Sequence, residues 1–264
     1  MLNADQTGMS TPAPSTIPEH TAHIPSERGR PEPGTQQFDF HSIRYQTMNA
    51  RRMEHLASLG LPIAGRSVLE VGAGIGDLTG FFVDRGCRVT STEGRDENLD
   101  LLRARWAEHE RVRIEKLGLD PVPTDTFEPH EIVFCYGLLY HLSDPGAALE
   151  YLAGACSGML LLETQASFGD HTDHTAWQED ASIASAAVSG NACRPTRPWL
   201  HEHLNDLFEH VYFARTQPLH NEFPTAWTPG AIPRSPRLIM VASRSPIENN
   251  LLVTDAPDVY DYQR

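Results

Sequence analysis

Positive charge is scarce in this sequence. Lys116 is the only lysine, and the 21 lysines and arginines face 35 acidic residues, for a formal net charge of -14 over 264 residues. Such a surface repels phosphates, so nucleic acid is not the expected partner and an anionic membrane is disfavoured. Arginine in place of lysine reads as the coding bias of a GC-rich bacterial genome. Long apolar runs are missing too. No stretch reaches about 18 apolar residues, so no membrane span is expected. No charged-then-apolar leader opens the chain, so export is not expected and the cytoplasm is the expected location. The four cysteines, Cys87, Cys135, Cys156 and Cys193, stand far apart without a Cys-x-x-Cys pair. Reduced thiols are the plain reading, not a metal or redox site. There is no internal repeat.

What is present suits one α/β domain. Hydrophobic residues make up 40% of the chain, a globular value. The length allows a sizeable core and is too short for two domains of ordinary size. Residues 1–36 carry Pro12, Pro14, Pro18, Pro25, Pro31 and Pro33 with little apolar content between them. This composition predicts a disordered or loosely draped leader, or else an oligomer arm or lid. The domain is expected over 37–244. A helix over Ser42–Ser58 offers Met53, Leu56, Ala57 and Leu59 to the core and stops at Gly60 and Pro62.

Further on, Asp96 can cap a helix with Leu99, Leu102 and Trp106 at helical spacing, and Trp106 reads as core. Strands are predicted over Arg111–Lys116, Glu131–Tyr136 and Gly158–Glu163. Asp144 followed by Pro145 starts a helix between the last two. Residues 164–193 are polar and rich in histidine and alanine, and read as a lid-like insertion. A helix over Pro198–Phe208 and strands at His210–Ala214 and Arg237–Ser243 complete the pattern. Residues 245–264 form an acidic, aromatic-tipped tail with no predicted place. Strands alternating with helices imply a mostly parallel sheet with helices on both faces, a Rossmann-like α/β fold.

The whole chain is organised around Val68-Leu69-Glu70-Val71-Gly72-Ala73-Gly74-Ile75-Gly76. A buried strand ends in a Gly-x-Gly-x-Gly turn, and a helix opens with Leu78, Phe81 and Phe82 as its apolar face. The glycines turn the chain sharply and let backbone approach a ligand closely. By itself this signal says nucleotide-like cofactor. The next strand, Cys87 to Glu93, ends in an acid 17 residues after Gly76, about the spacing at which a carboxylate meets a ribose. Glu70 discriminates between cofactors. An acid before the glycines repels the pyrophosphate of a dinucleotide such as NAD, whereas S-adenosylmethionine (SAM) has no phosphate and carries an amine and a sulfonium.

With Glu70-x-Gly72-x-Gly74-x-Gly76 and Tyr136-Gly137-Leu138-Leu139-Tyr140-His141, the sequence resembles the class I SAM-dependent methyltransferases over Phe38 to Arg244. The second segment is similar to that of the wobble-uridine carboxymethyltransferase family and of many small-molecule methyltransferases. The resemblance implies a seven-stranded sheet with its last strand antiparallel. It also implies SAM as cofactor, held by Tyr45, Glu70, Gly72, Ala73, Gly74, Gly76, Glu93, Gly94, Gly118, Leu119 and Tyr136. Family members commonly have an acid after the third strand to meet the adenine amine. Gly118 stands there instead, so backbone of Gly118 and Leu119 is the expected substitute, with Asp120 two residues on.

Tyr140 and His141 are expected on the substrate side as catalytic candidates, His141 being either a general base or a helix-capping core histidine. Arg44 and Tyr45 are either lid residues over the site or ordinary surface residues. Arg194 and Arg197 precede a helix near the cleft and suit a substrate carboxylate or phosphate, or else a surface salt bridge. His171, His174, His201 and His203 are spaced without a helical His-x-x-x-His and are not expected to hold a metal. The resulting expectation is methyl transfer to oxygen, nitrogen or carbon of a small molecule, in bacterial specialised metabolism. The alternatives are a non-catalytic SAM-binding partner protein and an RNA methyltransferase. Homo-oligomerisation is open.

Overall fold

A computed structural model describes residues 29–228 and 236–262. Residues 1–28, most of the expected leader, lie outside it. Residues 29–36 are described, and Pro31 among them is buried. A 3₁₀ turn over Gln36–His41 leads into α1 (Ile43–Ser58), where the Ser42 side chain accepts the Tyr45 N–H as an N-cap.

Then come β1 (Ser67–Val71), α2 (Thr79–Val83), β2 (Arg88–Glu93), α3 (Asp96–Trp106), β3 (Val112–Lys116) and β4 (His130–Tyr136). These are followed by α4 (Pro145–Gly154), β5 (Cys156–Gln165), β6 (His174–Gln178), β7 (Asn191–Pro195), α5 (Arg197–Leu207) and β8 (His210–Ala214). The chain finishes with β9 (Thr216–Gln217), β10 (Arg237–Ser243), β11 (Leu252–Val253) and β12 (Asp261–Tyr262). Asp96 is the first residue of α3 rather than its cap, which falls on Arg95.

The main sheet has eight strands in the order β11-β8-β10-β5-β4-β1-β2-β3. β1 to β5 pair in parallel, and β10 enters antiparallel between β5 and β8. Seven strands match the expected arrangement. The eighth, β11, comes from the tail, whose place was not predicted. It covers the edge of β8, and β12 pairs with β9. Tyr260 in the tail is buried. The central strands β4 and β5 carry continuous apolar runs, Ile132–Cys135 and Met159–Leu162, as strands covered on both faces do, whereas the edge strand β3 is only partly buried.

Strand order reverses between β1 and β4, and ligands bind off the carboxyl ends of strands at such a point. β1 ends at Val71, β2 at Glu93 and β4 at Tyr136, so the glycine turn, the acid and the tyrosine share one rim. The insertion expected over 164–193 runs on to Pro195, because β7 pairs with β6 as a separate two-stranded sheet through His174 and Pro195, with a loop over 179–190 between them.

Candidate active site

Glu93 is 7% exposed at the end of β2. Its Oε2 accepts the Gly74 N–H at 2.8 Å and its Oε1 the Arg95 N–H at 2.9 Å. Burial pushes its pKa up, and these N–H donors pull it back. A carboxylate oxygen can accept more than one hydrogen bond, so each of these can take a further donor such as a hydroxyl of a diol. Gly72 and Gly74 have φ of 72° and 59°. A Cβ on Gly74 would come within 3.3 Å of the Phe40 ring and one on Gly72 within 3.1 Å of Leu138, so the backbone cradle is closed to larger residues.

The cleft beside them measures about 180 Å³. Tyr45, Gly94, Gly118, Leu119, Asp120 and Tyr136 line it. Asp120 is fixed there by the hydroxyls of Ser143 at 2.5 Å and Ser189 at 2.6 Å. The Tyr136 hydroxyl is buried and has no hydrogen-bond partner among the described residues. Ala73 and Glu70 line a smaller recess below. Glu70 accepts from the hydroxyls of Thr79 at 2.6 Å and Ser91 at 2.7 Å, and burial pushes its pKa up to about 7.

Gly76 lines neither recess nor cleft. At φ 80°, a Cβ on it would meet Leu102 and Trp106 at 2.6 Å, so this glycine admits α3 against the turn rather than touching a ligand.

Residues 184–188 strap across the cleft. Arg95 donates to the carbonyls of Ala186 and Ala187, both at 3.1 Å, and Asn98 donates to that of Ala184 at 3.1 Å. The sequence marks this strap only as polar and alanine-rich.

A second cavity, of about 510 Å³, opens beside the first. Arg44, Tyr140, Gln165 and Arg237 line it, and it shares Tyr45, Gly137, His141, Ser185 and Ala186 with the cleft. Its floor is ionic. Glu163, fully buried at the end of β5, lies 2.5 Å from Arg52 of α1 and 2.9 Å from Arg237 of β10. Arg237 also bonds Glu222 at 2.7 Å and donates to the Tyr140 hydroxyl at 2.9 Å, while Arg44 pairs with Glu222. Breaking one partner of a buried pair typically costs about 3–5 kcal/mol. None of Arg52, Glu163, Glu222 and Arg237 was picked out from sequence. Glu163 carries a faint signal, an acid closing the apolar run Met159 to Leu162.

His141 is 13% exposed, and its Nδ1 lies 2.5 Å from Glu179 Oε2. Burial pushes its pKa below 6.5, against the pull of Glu179. Burial alone would raise the Glu179 pKa, but His141, the Ala187 N–H and Arg194 together hold it down to about 2. The expected substrate role of Arg197 is not what the structure gives. Its guanidinium donates to the Pro257 carbonyl and the Tyr260 hydroxyl and lies over the Trp227 ring, pinning the tail. Arg194 is likewise turned inward, to Glu179, the Tyr140 carbonyl and the Cys193 carbonyl. His174 and His203 pack on Trp199. Among the described residues, no three His, Cys, Asp or Glu side chains gather as a metal site would require.

The N-terminal domain of EvdMO1, solved with S-adenosylhomocysteine (SAH) and D-fucose, superposes on this chain with a TM-score of 0.57 at 22% identity, covering 80% of this chain and 91% of that one. This is the Rossmann-like class I methyltransferase fold. Two further solved structures share it. The 1,6-didemethyltoxoflavin-N1-methyltransferase of Burkholderia thailandensis, with its substrate and S-adenosylhomocysteine, gives a TM-score of 0.52 at 20% identity, covering 80% and 84%. The magnesium protoporphyrin IX methyltransferase of Synechocystis PCC 6803, with SAM, gives 0.51 at 15%, covering 81% and 86%. In sequence, the chain is 26% identical over 114 residues to a ubiquinone biosynthesis O-methyltransferase of Bordetella avium (strain 197N). That stretch is 43% of this chain and spans less than half, 46%, of the relative. No family model matches. In the methyltransferase fold, the rim where Glu70, Glu93 and Tyr136 meet is the switch point of the sheet.

Proposed function

We propose that this protein is a SAM-dependent methyltransferase acting on a small molecule. The observation that carries the reading is the junction of the two cavities. Tyr45, Gly137 and His141 wall both, so a cofactor in the cleft meets an acceptor without a barrier between them. The residues present fit SAM. Glu93 offers lone pairs to ribose hydroxyls, Asp120 and the backbone of Gly118 and Leu119 wall the adenine end, and the unpartnered Tyr136 hydroxyl and the acidic Glu70 suit the polar, cationic end. When bound, SAM supplies an activated methyl group on a sulfonium.

The chain's own contribution is positioning. Tyr45 and Phe40 close the cleft from α1 and the turn before it, and the 184–188 strap excludes water from above as a lid. Arg44, Arg237 and Tyr140 orient the acceptor in the second cavity, and His141 takes a proton from it where the nucleophile carries one. The small, partly ionic cavity and the net charge of -14 favour a small polar acceptor over RNA.

The arginine-rich composition supports a bacterial setting, as do the Bordetella, Burkholderia and Synechocystis sources of three of the similar proteins, and we place the reaction in specialised metabolism. Among the described residues, no helix is long and apolar enough to cross a membrane. The four cysteines are buried and unpaired, which supports the cytoplasm as location. Incubation with methyl-labelled SAM and a metabolite extract, followed by mass spectrometry, tests the reading. Label in a small product is expected, and label retained wholly by SAM while SAM stays bound would favour a non-catalytic binding protein.

A further inference from the structure

We propose that the acceptor group is a hydroxyl, that Nε2 of His141 takes its proton, and that Glu179 is the positioning residue that prepares His141 to do so. The inference rests on the methyltransferase reading and adds the acceptor chemistry and a residue that the sequence did not mark.

The geometry fixes a tautomer. An ionised carboxylate only accepts hydrogen bonds, and Glu179 is held ionised by three donors. These are His141 at 2.5 Å, the Ala187 N–H at 2.8 Å and Arg194 Nη2 at 3.1 Å. The imidazole proton therefore sits on Nδ1, and the lone pair sits on Nε2. Nε2 has no hydrogen-bond partner among the described residues, on a side chain that borders both cavities. Unlike His55, whose unbonded Nδ1 is sealed inside the core, His141 has one nitrogen fixed and the other open where methyl donor and acceptor meet.

Support runs outward from the pair. Arg194 on β7 holds Glu179 Oε1 and also donates to the Tyr140 carbonyl, one residue before His141, at 3.2 Å. Arg237 on β10 faces the other side through the Tyr140 hydroxyl. The other charged or titratable groups on this cavity are Asp39, Arg44, Tyr45, Arg52 and the exposed Asp180, and those on the cleft side are Glu93, Arg95, Asp120 and Tyr136. Glu179 also ties the strap, through Ala187, to the base, so an ordered strap and an oriented imidazole come together.

Such an arrangement serves a nucleophile that still carries its proton. A carboxylate is already ionised near neutral pH, and a free amine reacts through its deprotonated form, so neither needs a base. An alcohol, phenol, thiol or heterocyclic N–H does need one, and of these we commit to the hydroxyl, the acceptor class in the name of the O-methyltransferase that part of this chain is similar to. In the step, the acceptor oxygen bonds to the methyl carbon as the carbon–sulfur bond breaks, and that bond's electron pair leaves with sulfur. The hydroxyl proton passes to Nε2, and the imidazolium returns it to solvent.

The test uses the full chain, SAM labelled with carbon-13 in its methyl group, and a metabolite extract, with the product identified by NMR. A methyl ether is the expected product. Glu179→Gln should lower kcat by about 10²-fold while the KM for SAM stays within a few-fold, and Glu179→Asp should recover part of the loss. Nitrogen-15 NMR of the wild type, assigned by comparison with His141→Gln, should show the Nδ1–H tautomer, and Glu179→Gln should lose that fixed tautomer. A product methylated on nitrogen, carbon or a carboxylate, an unchanged kcat in Glu179→Gln, or an Nε2–H tautomer in the wild type would overturn the inference. If no transfer is seen, the tautomer measurement still decides it. Failure to bind SAM at all would strike the methyltransferase reading instead.

Discussion

Trp106 donates its indole N–H to the Gly76 carbonyl at 3.0 Å, and a Cβ added to Gly76 would come within 2.6 Å of that same nitrogen. The third glycine of the motif is thus a packing residue between the turn and α3. Gly76→Ala should destabilise the fold by about 2–4 kcal/mol, combining overpacking with a side chain forced to positive φ. Denaturant unfolding checks it. A variant of wild-type stability that binds cofactor weakly would return Gly76 to the ligand contacts.

His55 is fully buried, and its Nε2–H donates to the Thr216 carbonyl at 2.9 Å. Burial pushes its pKa down to about 4. The unfolded chain binds this proton near pH 6.5 and the folded chain only near 4. The stability from a neutral His55 is therefore fully present above 6.5 and is lost as pH falls through that window, by about 3 kcal/mol in all. Glu70 has the opposite sign. Its raised pKa makes its contribution most favourable at low pH and lost as pH rises through about 7. The comparison is therefore wild type against His55→Gln at each pH. The variant should show a flatter acid limb, and identical limbs would contradict this assignment.

Arg95, two residues after Glu93, fastens the strap by two carbonyl hydrogen bonds. Arg95→Ala should speed cofactor release by about ten-fold or more, the scale of losing hydrogen bonds to a charged donor. Stopped-flow displacement of bound cofactor measures it. An unchanged release rate would mean the strap does not gate the cleft.

Arg197 holds the tail rather than a substrate. Arg197→Ala should lower stability by about 2 kcal/mol, through its lost charged hydrogen bonds, and leave the acceptor KM unchanged. A raised KM at unaltered stability would restore the substrate role expected from sequence.

Much of the frame was legible because its signals are local. The run Val68 to Gly76 carries strand, turn and close approach within a few residues, and Asp144-Pro145 carries its own cap. β10 was placed at its observed limits by a single apolar run. The rest depends on long-range partners. Arg52, Glu163 and Arg237 are ordinary charges until the sheet brings α1, β5 and β10 together. Glu179 sits in a polar stretch, and nothing around it in sequence points to His141. β11 is two residues long, too short to show an alternation, and exists because β8 offers an edge. Arg197 failed as a substrate contact because its partners, Pro257 and Tyr260, lie in a tail whose docking has no local signature.

Titration calorimetry with SAM, S-adenosylhomocysteine and NAD, on the wild type and Glu93→Ala, tests the central claim most directly. SAM and S-adenosylhomocysteine should bind and NAD should not, and Glu93→Ala should lose roughly 1.5–3 kcal/mol of cofactor affinity. Measurable NAD binding with none for SAM would contradict the account.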